Sequence, residues 1–91
     1  MIVGKVVGNV WATRKEEALE GMKLMVVRRQ DAVTLEELET LVAVDFIGAG
    51  IGDRVIVATG SSARHAGRCT NNEPVDATIV GIIDEVEVQE P

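Results

Sequence analysis

The sequence predicts an all-β fold, a small barrel of five strands with one short helix. Three observations carry this. Short runs rich in β-branched residues recur along the chain, several with apolar residues at every second position. No long stretch shows the 3.6-residue apolar period of a helix, and no strand–helix–strand rhythm appears. The chain has 91 residues, 46% of them hydrophobic, with Trp11 and Phe46 the only aromatics, so a modest core must be built from Val, Ile, Leu and Ala.

Met1–Thr13 reads as a long first strand. Its even positions, Ile2, Gly4, Val6, Gly8, Val10 and Ala12, form a wholly apolar face, while Lys5, Asn9 and Thr13 lie on the other. Gly4 and Gly8 on the core face point to a sharp bend, as at a barrel corner. Arg14–Gly21 is a polar connection, with Glu16 and Glu20 as like charges one helical turn apart. Lys23–Arg29 is the second strand. Gln30–Thr40 is read as a loop with at most one helical turn: Thr34 and Glu37 have capping-box spacing, and Leu35, Leu38 and Leu41 have helical spacing. Leu41–Ile47 is the third strand.

Gly48, Gly50 and Gly52 follow it, alternating with Ala49 and Ile51. A phosphate-cradling loop needs a helix N-terminus after its glycines. Here Arg54–Thr59, a β-branched run, follows instead and is the fourth strand. The loop is therefore expected to join two strands. Ser61 reads as the N-cap and Gly67 as the C′ residue of the short helix. Ser61 and His65 are one helical turn apart, but no strained nucleophile elbow and no third group orienting the histidine are present. A capping serine beside a surface histidine is the expected reading, and no catalytic residue is assigned. Arg68–Pro74 is a turn-rich link. Asp76–Val88 is the last strand, apolar on both faces at first, then alternating Glu85 and Glu87 with Val86 and Val88. Glu85, Glu87 and Glu90 are expected to form a solvated edge.

The net charge of −6 and the near-absence of aromatics argue against a nucleic-acid binder. One cysteine, Cys69, and one histidine, His65, exclude an intrachain disulfide and a Cys/His zinc site. No cofactor or metal is expected. No apolar run approaches the length of a membrane span, and the N-terminus lacks a signal-peptide pattern, so a cytoplasmic, membrane-free location is expected. The fourth and fifth strands are apolar on both faces, whereas small antiparallel barrels usually show one dry and one wet face. Neighbouring subunits are the economical cover, so an obligate oligomer is expected.

Three ordered blocks resemble a known family. The opening carries Gly4, Val6, Gly8, Val10, Thr13, Lys15, Leu19, Gly21, Lys23 and Leu24. The centre carries Val44-Asp45, Gly48-Ala49-Gly50-x-Gly52 and Gly60-Ser61-Ser62-Ala63-Arg64, and the end carries Pro74-Val75-Asp76 and Val80-Gly81-Ile82-Ile83-Asp84. Over nearly its whole length the chain resembles the bacterial microcompartment vertex proteins of the EutN/CcmL family; Gln30–Thr40 lacks the Gly/Pro turns common there. The resemblance implies one domain over residues 1–91, folded as a five-stranded OB-like barrel. It implies closed homopentamers that cap the vertices of a polyhedral shell tiled by hexameric shell proteins, in the bacterial cytoplasm. It implies a structural role and no enzyme activity. Gly48, Ala49, Gly50 and Gly52 would let backbone approach the fivefold axis or a neighbour. Asp53, Ser61, Ser62 and Arg64 would serve the oligomer interface, with Asp53, Ser61 and Arg64 hydrogen-bonding between or within subunits. An OB-type nucleic-acid or small-ligand binding module is the alternative reading.

Overall fold

In the computed structural model, residues 1–11, 17, 21–60 and 75–89 are described. Five strands, β1 (Ile2–Val10), β2 (Lys23–Gln30), β3 (Glu37–Asp45), β4 (Arg54–Thr59) and β5 (Ala77–Ile82), close into a barrel in the order β1-β2-β3-β5-β4. All neighbours are antiparallel except β3 and β5, which close the barrel through a short parallel pairing at Val44↔Thr78 and Asp45↔Ile79. This is the five-stranded, OB-like barrel that the resemblance implies.

The alternation along each strand decides which side chains fill the interior. Gly4 and Val6 on β1, Met25 and Val27 on β2, Ala43 on β3, Val55 and Val57 on β4, and Ile79 on β5 are buried. Each buried Val, Ile or Met side chain contributes about 1.5–3 kcal/mol. Neither aromatic joins this core: Trp11 is 90% exposed, and Phe46 packs against a smaller cluster around Val44 and Val75. At Gly4 the strands come too close for any side chain. A Cβ there would stand 2.5 Å from Val27 Cγ1 and 2.8 Å from the Arg28 carbonyl oxygen. The β1–β2 register slips between Val6 and Gly8, a bulge that turns β1 where its glycines predict a bend.

The strand limits differ from expectation in three places. β1 stops at Val10 rather than Thr13. β3 runs from Glu37 to Asp45 rather than from Leu41 to Ile47, so the expected loop over Gln30–Thr40 is mostly hairpin: only residues 31–36 turn, and no helix forms. The Asp31 carboxylate accepts the N–H groups of Val33 and Thr34 at 2.9 Å, the Asp31 N–H bonds the Glu36 carbonyl, and Leu35 takes φ 63°. Thr34 accepts the Glu36 N–H at 3.2 Å instead of capping a helix. Arg28–Glu37 and Arg29–Glu39 ion pairs then hold the two arms together. β5 ends at Ile82; residues 83–89 are exposed except the half-buried Ile83 and join no strand ladder, although their alternation reads as strand. The helix expected over residues 61–67 lies outside the described residues.

Candidate functional site

β3 ends at Asp45, whose carboxylate is wholly buried and governs the glycine loop. Oδ1 accepts the Ile47 N–H at 3.0 Å and Oδ2 accepts the Ala49 N–H at 2.8 Å. Lys23, directly opposite Asp45 in the β2–β3 ladder, places Nζ 3.5 Å from Oδ2 and donates to the Ala49 carbonyl at 2.8 Å. Both backbone groups of Ala49 are therefore claimed by one charged pair, and its methyl is fully buried in the barrel core. Ala49 works as a plug, with Asp45 and Lys23 as its clamp.

The rest of the loop is a second small unit. Gly50 donates to Asp53 Oδ2 at 2.8 Å, and the Asp53 N–H returns to the Gly50 carbonyl at 3.0 Å. Only the third residue of this turn, Gly52, has positive φ (97°), the signature of a type II turn. Gly52 N–H and the Asp53 carbonyl then bond both backbone groups of Val6, fastening the loop beside the β1 bulge. Gly48, at φ 88°, makes the reversal before Ala49. Gly50 is under neither constraint: its φ is ordinary, and a Cβ would meet only Asp53 Oδ2 at 3.8 Å.

Gly48, Ala49, Gly50, Gly52 and Asp53 thus form one loop, with Asp53 bonding inside its own subunit. Ser61, Ser62 and Arg64 lie outside the described residues. The sequence reading assigned no role to Asp45 or Lys23; the signal available was a lone acid closing an apolar strand just before glycines, the pattern of a side chain that caps backbone N–H groups.

The loop is bordered by a groove of about 460 Å³ whose lining includes Val10, Trp11, Met22, Leu24, Gly50 and Ile51. Trp11 and Ile51 are 90% and 64% exposed. Elsewhere Val42 and Ile82 also stand exposed. Apolar surface at these separate places suits packing against other chains better than solvent contact. Among the described residues no group of three or more potential metal-ligating side chains occurs, and no helix is long and apolar enough to cross a membrane.

Comparison with known proteins gives this surface its context. The sequence model of the EutN_CcmL family, described as "Ethanolamine utilisation protein EutN/carboxysome", matches residues 1–84. The chain is 47% identical over 87 residues to the bacterial microcompartment shell vertex protein GrpN of Rhodospirillum rubrum, covering 96% of this chain and 97% of that one. It is 42% identical over 89 residues to the carboxysome shell vertex protein CcmL of Synechococcus elongatus, covering 98% and 89%. Among solved structures, the GrpN pentameric microcompartment shell protein from R. rubrum superposes with a TM-score of 0.85 at 46% identity, covering 99% of this chain and 100% of that one. A carboxysome CcmL subunit superposes with a TM-score of 0.89 at 43% identity, covering 97% and 91%. With its closed barrel, its clamped glycine loop and near-complete alignment to these proteins, the chain belongs to the EutN/CcmL family.

Proposed function

We propose that this protein is a structural vertex subunit of a bacterial microcompartment shell. It folds as one domain over residues 1–91 and assembles into homopentamers that close the shell's vertices against hexameric shell proteins, within the bacterial cytoplasm. The observation that carries this reading is the near-full-length likeness to shell vertex proteins of both carboxysomes and other microcompartments, at 40–47% identity. The protomer supports it physically. A fivefold ring joins two different surfaces of each subunit, so it needs two unlike patches left uncovered by the fold. The groove beside Trp11 and Ile51, and the exposed Val42 with its neighbouring groove along Leu41, Thr59 and Ala77, meet that need.

The chemistry of the glycine loop is structural in this reading. The loop's charged groups are spent on its own backbone: Asp45 and Lys23 clamp Ala49, and Asp53 holds Gly50. They hold an apolar surface in shape. The role is non-enzymatic, and no substrate or cofactor enters it. The nucleic-acid alternative is opposed by the net charge of −6 and two aromatic residues.

Native mass spectrometry of the purified chain, with sizing chromatography across protein concentrations, tests the proposal. A dominant assembly of five 9.7 kDa chains is expected. A monomer that persists at high concentration would overturn it, and a six-membered ring would deny the vertex symmetry.

A further inference from the structure

The barrel carries a line of cations that the described residues of its own protomer neutralise only in part. In the antiparallel registers Lys5 of β1 stands directly opposite Arg28 of β2 on one side and Arg54 of β4 on the other. Lys5 lies between the buried Gly4 and Val6 and is itself exposed, so this row faces outward. Directly opposed side chains sit about 4.5–5.5 Å apart at Cβ, where like charges destabilise a sheet. Among the described residues one carboxylate answers the row: Glu37 lies 3.8 Å from Arg28 Nη1, in a pair open to solvent on both sides. Arg28 Nε, Arg54 Nε and Arg54 Nη2 are shut off from solvent and have no hydrogen-bond partner among the described residues. Nor does any described carboxylate lie within ion-pair distance of Lys5 or Arg54. Guanidinium N–H groups enclosed without acceptors are costly, and the described residues of the protomer supply none, which favours an acceptor from a neighbouring copy.

The adjoining outward row is Gln30, Val3, Ile56 and Gly81, with Gln30 Oε1 also enclosed and unpartnered. Val3 and Ile56 are half-buried, and Gly81 leaves room beside Ile56. The face is therefore a cationic row edged by an apolar one. Its complement occurs in the same chain. Asp84, Glu85 and Glu87 are exposed, take part in no hydrogen bond or ion pair among the described residues, and alternate with the exposed Val86 and Val88. Beyond Ile83, whose N–H bonds the Arg54 carbonyl of its own protomer, this segment has strand patterning but no strand partner among the described residues. Extended, it spaces Glu85 and Glu87 about 6.6 Å apart, within reach of cations set about 4.8 Å apart across neighbouring strands. The acids of the hairpin are less suited, because Glu37 and Glu39 are already paired with Arg28 and Arg29.

We propose that the Arg28–Lys5–Arg54 row is the face on which an adjacent copy in the ring seats its acidic 84–88 segment. This rests on the pentamer reading and adds a charged contact to its apolar ones. It also gives Glu85 and Glu87 a partner in place of the solvated edge that their alternation alone suggests.

The test uses charge reversal and mixing, read by native mass spectrometry at micromolar protein. Wild-type protein is expected as a pentamer. Lys5→Glu/Arg54→Glu and Glu85→Lys/Glu87→Lys should each lose most of it, with the assembly concentration rising at least about 10-fold. When the two variants are mixed, every contact between unlike copies is charge-matched in either order. A five-membered ring holding both kinds then keeps only one mismatched interface, so mixed pentamers should reappear. Carrying all four substitutions in one chain should restore the homopentamer. The glutamate variant alters an exposed segment outside every ladder, so it tests the proposal even if the barrel-face variant misfolds. Pentamers unaffected by reversal of the glutamates would overturn the inference. So would rescue within one chain without rescue on mixing, which would place the pair inside a protomer. A wild-type chain that forms no pentamer at all would instead overturn the vertex reading, and this inference with it.

Discussion

Replacing Asp45 by alanine should cost the protomer about 3 kcal/mol. The buried carboxylate accepts two backbone N–H groups, from Ile47 at 3.0 Å and Ala49 at 2.8 Å. Hydrogen bonds to a charged acceptor are worth about 1.5–3 kcal/mol each. The two sites differ. Ala49 is fully buried, so its N–H would lose its partner with no water to replace it, whereas Ile47 is 45% exposed and its loss is partly made up. Asp45→Asn keeps one acceptor oxygen and turns an NH₂ toward the other N–H, for about half that cost. Lys23→Met removes a half-exposed cation and its bond to the Ala49 carbonyl, and screening by solvent holds that loss to about 1 kcal/mol. The assay is thermal unfolding by circular dichroism at one fixed protomer concentration, because assembly adds its own concentration-dependent stability. For a chain of this size about 3 kcal/mol corresponds to roughly 12–24 °C in Tm. The expected order is Asp45→Ala, then Asp45→Asn, then Lys23→Met. If Lys23→Met destabilised as much as Asp45→Ala, the lysine, through its ion pair and its bond to the Ala49 carbonyl, would hold the loop as strongly as the carboxylate does. If Asp45→Ala fell within about 1 kcal/mol of wild type, the clamp would carry no weight.

Gly4→Ala should destabilise by about 1–3 kcal/mol in the same assay, because the new methyl meets the Arg28 carbonyl at 2.8 Å and that strand cannot yield cheaply; an unchanged Tm would contradict the close β1–β2 approach. Gly52→Ala, at φ 97°, should cost about 1–3 kcal/mol through backbone strain. Gly50→Val should leave protomer stability within about 1 kcal/mol but reduce the pentamer fraction in native mass spectrometry, since the residue has space in the protomer and borders the exposed groove; undiminished assembly would remove Gly50 from the interface. At the hairpin tip, backbone N–H groups of Thr34 and Val33 hold the Asp31 carboxyl below its ordinary value of 3.8. A depressed carboxylate stabilises the folded form above the ordinary value and loses that contribution as pH falls through the lowered one. The Val33 and Thr34 amide resonances should therefore titrate together with a midpoint below 3.8, and a midpoint at or above it would refute the turn geometry.

Where the signal is local, the sequence by itself was enough. Period-two alternation assigned Ile2, Gly4 and Val6 to the core, located β4 at Arg54–Thr59, and placed the glycine loop between two strands; past the bulge the even positions Gly8 and Val10 pair with Val26 and Leu24 and leave the core face, because a bulge inverts the alternation. These follow from side chains that alternate about a single strand, whatever its partner. The same local logic misled where pairing decides. Leu35, Leu38 and Leu41 mimic a helix, yet Glu37–Thr40 become strand because β2 offers them a backbone ladder, with Arg28 opposite Thr40 and Gln30 opposite Glu37, to which the exposed Arg28–Glu37 and Arg29–Glu39 pairs add little. The alternation of residues 85–88 reads as strand, yet the described residues of the protomer offer it no ladder. The glycine loop was legible as a loop, but its cause was not. Asp45 precedes Ala49 by four residues, whereas Lys23 comes from 26 residues before Ala49, and only the β2–β3 register brings them together. The cation row is the extreme case. Lys5, Arg28 and Arg54 are unremarkable where they stand in the chain, and only barrel closure lines them up across three strands, because cross-strand register is set by non-local pairing that no single stretch of sequence contains.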